Sequence, residues 1–220
     1  MRLRTSLLAA ALVTAGIAGG AHAAPPLCNL IVDDKGDAVY LAEPSNPNLD
    51  IVSGDVASDG KTIAVAIRVD KLAAQSQQSP LGQSFLINFS VKGSDVPLFV
   101  GARLYPTGNK FVFGYIADDP VLTISTRYVL GEAQGVLDTA KNEIRVWAPI
   151  AGFEAQAKIK PGAQLGGLTA ESSAVMGQGV VPSQQVGPAR APLGGLLLPT
   201  DDAAGKSYIA GKKSCLAVGK

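Results

Sequence analysis

The residues best suited to chemistry in this chain of 220 residues are carboxylates grouped on turns. Three of them lie within five positions, in the run from Asp33 to Asp37, where Gly36 allows a sharp turn of the backbone. Asp50 begins the next apolar segment, and a further acidic pair stands at Asp201-Asp202. Hard oxygen ligands at short spacing suit calcium, which takes about six to eight oxygens in irregular geometry.

Two interpretations of these carboxylates follow. The first is a calcium site formed by Asp33, Asp37, Asp50 and Asp202. The second is a set of Asx-rich turns in which the carboxylates cap backbone amides and bind no metal. The first interpretation requires that Asp202, near the C-terminal end of the chain, lies close in space to Asp33, Asp37 and Asp50, near the N-terminal end.

A bond between the two cysteines, Cys28 and Cys215, could bring these parts together, because the cysteines lie almost at the two ends of the chain. A pair so placed in an exported domain is most simply a disulfide, the alternative being two unpaired thiols. In the chain-entropy model a bridge over so long a loop stabilises a fold by roughly 4 to 5 kcal/mol. It would also bring the acidic turn at Asp33 towards Asp202.

The first 23 residues are typical of a secretory signal. Arg2 and Arg4 precede an apolar run over residues 7–17, and residues 21–23 form a small-x-small cleavage site. The run is shorter than the roughly 20 residues of a membrane span, so we expect cleavage, a secreted or extracellular product and no span. Residues 24–220 then form one domain.

Composition and motifs disfavour several functions. Removal of the signal would lower the formal net charge from +1 to −1 with no basic cluster, so we expect no nucleic-acid partner. It would also remove His22, the only histidine and the usual general base. The run Gly205-Lys206-Ser207 has Thr200 where a phosphate loop needs glycine, which disfavours a nucleotide. A hydrolase that uses carboxylates such as Glu143 stays open, but we expect no enzyme.

The elements that must position these residues are strands. Apolar residues recur with period two over 63–69, 85–91, 111–115 and 144–150, and turn signals lie at Asp59-Gly60, at Gly108-Asn109 and over 138–142. This pattern predicts an all-β fold, an antiparallel β-sandwich of immunoglobulin-like or jelly-roll-like form. Residues 176–199, which are rich in glycine and proline, predict a long loop.

Aromatic residues suggest a binding surface. Trp147 is out of phase with the apolar residues of its strand and would face outward, where it could stack on a sugar or pack beneath a loop. Tyr105 and Tyr115 could extend such a ligand face. The sequence does not set the oligomeric state.

Residues 28–70 contain short motifs that resemble the start of DOMON-like domains and of family nine carbohydrate-binding modules. These motifs are Asp33-x-x-Gly36-Asp37, Leu49-Asp50-Ile51-Val52-x-x-Asp55-Val56 and Ser58-Asp59-Gly60-Lys61-Thr62. The resemblance implies an exported, non-catalytic β-sandwich that binds a carbohydrate or a cell-envelope component, with structural calcium at Asp33, Asp37 and Asp50. The alternative is a structural or protein-interaction domain.

The chain departs from that group at two kinds of residue. Haem-binding members use methionine and histidine ligands, whereas Met176 is the only such residue after the predicted signal, so we expect no haem. Sugar-binding members clamp their ligand between two tryptophans, and this chain has Trp147 alone.

Overall fold

The computed structural model describes residues 28–40, 43–44, 46–73, 81–118, 125–177 and 196–218. The predicted signal, residues 1–23, lies outside them. Most of the described chain is antiparallel strand, with one short 3-10 helix, η1, at Ile150–Phe153. No helix in this part of the chain is long and apolar enough to cross a membrane.

Fourteen strands form within the described residues. In chain order they are β1 (Ile31–Val32), β2 (Val39–Tyr40), β3 (Glu43–Pro44), β4 (Ile51–Ser58), β5 (Thr62–Val69), β6 (Gly82–Val91), β7 (Leu98–Tyr105), β8 (Gly108–Asp118), β9 (Ser125–Glu132), β10 (Gln134–Asp138), β11 (Glu143–Pro149), β12 (Gln164–Gly177), β13 (Leu196–Ala204) and β14 (Tyr208–Ile209).

Two of the sheets pack face to face, which confirms the predicted β-sandwich. A five-stranded sheet has the order β1-β4-β5-β11-β10. A seven-stranded sheet has the order β13-β12-β6-β7-β8-β9, with β14 added beside β12. The short strands β2 and β3 pair with each other.

The core lies between the two large sheets and uses the residues that the period-two pattern indicated. On the five-stranded sheet Ile63, Val65 and Ile67 are fully buried, and β6 contributes Phe85, Ile87 and Phe89 from the other sheet. Because successive side chains of a strand point to opposite faces, each of these runs presents one apolar face to the other sheet. The main core contains all six.

The turns follow the sequence signals with one difference. Asp59 Oδ1 accepts hydrogen bonds from the amides of Lys61 and Thr62, at 2.9 and 2.8 Å, in the β4–β5 hairpin. The second hairpin turns at residues 106–107 instead of 108–109, because Gly108 already pairs with Tyr105 as the first residue of β8. The Gly108-Asn109 signal therefore marks the first residues of β8, where Gly108 has a φ of 137°, and the turn itself lies just before them.

The predicted loop over 176–199 is shorter at both ends than the sequence suggested. Strand β12 runs through Met176 and Gly177, and β13 begins at Leu196, so residues of each strand occupy the outer parts of that range. The remainder, 178–195, lies outside the described residues. Apolar side chains at 175 and 197–198 explain the extension, because they continue the ladder between the two strands.

The predicted disulfide is present. Cys28 and Cys215 are bonded, with their Cα atoms 5.1 Å apart and a sequence separation of 187. Disulfides persist in oxidising compartments, so this bond indicates a location other than the cytoplasm.

Candidate metal centre

The acidic residues meet at the seam where the edges of the two large sheets come together. Strand β1 pairs with β4 of the five-stranded sheet, with Ile31 opposite Gly54. Ile31 also bridges Gly205, the residue that follows β13 of the seven-stranded sheet. The amide of Lys206 donates to the carbonyl of Leu30 at 2.8 Å. The N-terminal strand therefore joins the two sheets.

The turn after β1 carries Asp33 and Asp37. The amide of Asp33 donates to Val52 O at 3.3 Å, which continues the pairing with β4. Gly36 then adopts φ of 89°, a left-handed conformation that glycine takes without strain. Its amide donates to Asp50 Oδ2 at 2.6 Å, so the turn is held directly against the start of β4.

Asp201 approaches the same place from the other sheet. Its Oδ2 accepts a hydrogen bond of 2.6 Å from the amide of Ile51, the residue next to Asp50. Its strand partner Ser172 donates through Oγ to Leu49 O at 2.5 Å, a second link between the sheets. These two bonds fix β13 and β12 against the segment that contains Asp50.

Three carboxylates come within metal-binding distance of one another. Asp33, Asp37 and Asp201 each offer an oxygen atom, and these atoms lie within 4.8 Å of one another. Asp50 is 1% exposed, and its Oδ1 has no hydrogen-bond partner, as is also true of the buried Asp33 Oδ2. Buried carboxylate oxygens without partners are costly, and a cation would satisfy them.

The electrostatics of the site favour a positively charged occupant. The pKa of Asp201 is raised to about 6. Burial is the largest cause and the nearby carboxylates of Asp33, Asp37 and Asp50 add to it, against the lowering effect of the hydrogen bond from the Ile51 amide. Burial likewise raises the pKa values of Asp33 and Asp50. The nearest lysine in the turn, Lys35, is paired with Asp70 at 2.7 Å.

Of the four residues that the sequence indicated, Asp33 and Asp37 belong to this group of three carboxylates and Asp50 lies beside it, but the third member is a different aspartate. Asp33, Asp37 and Asp50 gather at the seam, but the residue that joins them from β13 is Asp201, whereas Asp202 is exposed. Adjacent strand residues point to opposite faces. A register shift between Ser172 and Ser173, opposite Asp201 and Pro199, places an extra residue in β13. That bulge decides which aspartate faces inward, and no sequence pattern marked it.

The aromatic residues that could bind a ligand lie on three different surfaces. Trp147 is on the outer face of the five-stranded sheet, packed with Ala57, Ala64 and Leu216. Tyr105 accepts a hydrogen bond from Arg103 at 3.0 Å near the end of β7. Tyr115 stacks on Tyr128, with ring centroids 5.2 Å apart, on the core side of the seven-stranded sheet. The structure does not gather them into one surface.

Glu143, the carboxylate considered for hydrolysis, belongs to an ion-pair network. Arg68 Nε donates to it at 2.7 Å, and Arg145 Nε donates to its other oxygen. Arg68 also binds Asp55 at 2.8 Å. Both oxygens of Glu143 are therefore engaged by guanidinium groups, an arrangement that suits a structural role.

Comparison with known proteins gives no family assignment: no protein-family description matches this chain, and no curated protein is significantly similar to it in sequence.

Proposed function

We propose that this chain is an exported, non-catalytic binding module that holds a calcium ion at the seam between its two sheets. The observation that carries the proposal is the convergence of Asp33, Asp37 and Asp201, with the buried and unpartnered Oδ1 of Asp50 beside them. The DOMON-like resemblance of residues 28–70 supports the same proposal, since acidic turns near the N-terminus are the expected calcium ligands there.

The donor set favours calcium over other metals. All four candidate ligands are carboxylates, and hard oxygen donors suit calcium, magnesium and manganese better than zinc or copper. Magnesium demands near-octahedral geometry and keeps several waters, whereas calcium accepts irregular sets of oxygens. The candidate ligands here come from a turn, from the start of a strand and from a strand of the opposite sheet. Such an irregular set of oxygens suits calcium better than magnesium.

The ion would act mainly on stability. Asp33 and Asp37 belong to the five-stranded side, and Asp201 belongs to the seven-stranded side. A cation bound by both would hold the sheets together, and its binding free energy would add to the free energy of folding. For a dissociation constant of about 0.1 mM, typical of extracellular sites, about 10 mM calcium would stabilise the fold by about 2.7 kcal/mol.

Calorimetric titration and thermal melting test this proposal. For a domain of this size, about 2.7 kcal/mol corresponds to a rise in melting temperature of roughly 5 to 10 °C. Asp37→Asn removes a candidate ligand that is exposed, so the variant should fold but bind calcium much more weakly. Asp34→Asn is the matched control, since Asp34 is exposed in the same turn but outside the cluster.

The outcomes are distinct. Calcium binding that is lost in Asp37→Asn and kept in Asp34→Asn supports the proposal. No heat of binding and no rise in melting temperature at 10 mM calcium would refute it. An equal response to magnesium would show a generic acidic patch instead of a calcium site.

Carbohydrate or cell-envelope binding stays a prediction that rests on the resemblance. The separation of Trp147, Tyr105 and Tyr115 on three surfaces favours the alternative of a structural or protein-interaction module with no small ligand. Glycan binding that disappears in Trp147→Ala would support the carbohydrate prediction. A specific protein partner with no glycan binding would support the alternative.

A further inference from the structure

The N-terminal segment, residues 28–37, is held at its two ends by different chemistry. Cys28 begins the segment and is bonded to Cys215. Asp33 and Asp37 end it and lie in the acidic cluster with Asp201. The disulfide and the cluster therefore restrain the same short piece of chain.

Between these ends the segment is anchored by Leu30 and Ile31, which are buried in the main core, and by a very short strand. Strand β1 contains only two residues, Ile31 and Val32, and Val32 is 64% exposed. Beyond the pairing of β1 with β4, the backbone of the segment is held by the bridge to Gly205, the bond from the amide of Lys206 and a long bond of 3.3 Å from the Leu30 amide to Asp55. The amides of Asp33 and Gly36, at the acidic end, donate to Val52 O and to Asp50 Oδ2. So short a strand gains little from its own ladder, since a typical strand is about five to six residues long.

The acidic cluster opposes docking of this segment when no cation is bound. Docking places Asp33 and Asp37 beside Asp50 and Asp201, and like charges at such distances repel. The disulfide favours docking, because it keeps the segment near β13 and β14 whatever the state of the cluster. The disulfide and a bound cation would therefore both favour the docked arrangement of this segment over any arrangement in which it is released.

We propose that calcium binding and the Cys28–Cys215 disulfide are thermodynamically coupled through residues 28–37, so that each strengthens the other. This inference rests on the calcium binding proposed above. Coupling between two sites is reciprocal, so the factor by which the disulfide tightens calcium binding equals the factor by which calcium disfavours reduction of the disulfide. Couplings of this kind are typically about 5- to 150-fold, and we expect roughly tenfold here.

The redox step uses glutathione as the reductant. One glutathione thiolate attacks a sulfur of the protein disulfide and forms a mixed disulfide, which releases the other cysteine as a thiolate. A second glutathione thiolate then attacks the mixed disulfide. The products are two protein thiols and one oxidised glutathione, so two electrons pass from two glutathione molecules to the protein. Calcium takes no part in the exchange and changes only its equilibrium.

The first measurement is the calcium dissociation constant of the oxidised protein and of the double variant Cys28→Ser, Cys215→Ser. We expect the constant to be roughly tenfold larger without the disulfide. Equal constants would overturn the inference while leaving the calcium proposal intact. Absence of binding in the oxidised protein would refute the calcium proposal and the coupling together.

The second measurement does not depend on whether the double variant folds. The wild-type protein is equilibrated with reduced and oxidised glutathione, with calcium at saturation or with a chelator, and the reduced fraction is determined by thiol labelling. We expect calcium to lower the equilibrium constant for reduction roughly tenfold in the wild type and to have little effect in Asp37→Asn. An unchanged constant in the wild type, or an equal change in Asp37→Asn, would overturn the coupling.

Discussion

Asparagine in place of Asp201 should stabilise the calcium-free protein at neutral pH and destabilise the calcium-bound one. The amide has the shape of the carboxylate and keeps an oxygen that can accept the 2.6 Å hydrogen bond from Ile51. It removes the negative charge that burial and the three neighbouring aspartates disfavour. The substitution therefore separates the repulsion within the cluster from its capacity to bind a cation.

The size of the effect follows from the pKa of Asp201. A rise from 3.8 to about 6 means that ionising this side chain in the folded protein costs up to about 3 kcal/mol more than in the unfolded chain. That cost already includes the lowering effect of the hydrogen bond from Ile51, and solvent screening of this partly exposed side chain reduces it by roughly a third to a half, to about 1.5 to 2 kcal/mol. We therefore expect calcium-free Asp201→Asn to be about 1.5 to 2 kcal/mol more stable than wild type at pH 7.5.

The effect must depend on pH in a definite direction. Because the pKa of Asp201 is raised in the folded state, the folded protein binds more protons than the unfolded chain between about pH 4 and pH 6. The calcium-free wild type therefore loses stability as the pH rises through that window. At pH 3.8 the carboxyl is protonated in the folded state and half protonated in the unfolded chain, so most of the advantage of Asp201→Asn should vanish.

Urea unfolding at pH 3.8 and pH 7.5, with a chelator or with 10 mM calcium, measures all four stabilities. Asp202→Asn is the comparison, since Asp202 is the exposed neighbour on the same strand and its charge acts on Asp33 without belonging to the group of three carboxylates. We expect it to stabilise the calcium-free protein less than Asp201→Asn does. We expect the order of stability of Asp201→Asn and wild type to reverse when calcium is added at pH 7.5. If Asp201→Asn is the less stable protein in chelator at pH 7.5, the cluster is not under repulsion and the reasoning is wrong.

Two further predictions concern packing, and both can be measured as free energies of unfolding. Arg68→Met would leave the buried carboxylates of Asp55 and Glu143 without this partner and should cost about 3 to 5 kcal/mol, whereas Lys141→Met, at an exposed pair, should change stability little. Gly114→Ala would place a Cβ 1.9 Å from the Tyr128 carbonyl oxygen and should cost about 1 to 3 kcal/mol or more, whereas nothing lies within 4 Å of a Cβ at Gly166. Equal stabilities within either pair of variants would contradict the contacts described.

The strands and the core could be predicted because each depends on local pattern. A run such as Ile63, Val65 and Ile67 can bury one face only as a strand, and four such runs require facing sheets. The hairpin at Asp59-Gly60 follows in the same way, because the aspartate accepts from two amides of its own turn. The disulfide could be predicted from the number and compartment of the cysteines.

The details of the site could not be predicted because they depend on register. The sequence indicates that one of Asp201 and Asp202 faces the acidic turn, but the choice follows from a one-residue bulge that changes the alternation in β13. The pairing of β12 with β13 decides where that bulge lies. The surface on which each of Trp147, Tyr105 and Tyr115 lies likewise depends on which sheet its strand joins. The spacing of residues within one strand does not predict this.

The candidate ligands come from parts of the chain that are far apart in sequence. This distribution determines which state of the protein a cation bound at the seam would stabilise. Asp33 and Asp37 come from the N-terminal turn, Asp50 from the start of β4, and Asp201 from a strand of the other sheet that is 150 residues beyond Ile51, its hydrogen-bond partner. No two of these three regions can complete the cluster alone. High affinity therefore requires that both sheets have formed and met, so calcium would select the closed sandwich over every partly folded state. The carboxylates that weaken the seam without a cation are then the same groups that make closure depend on one.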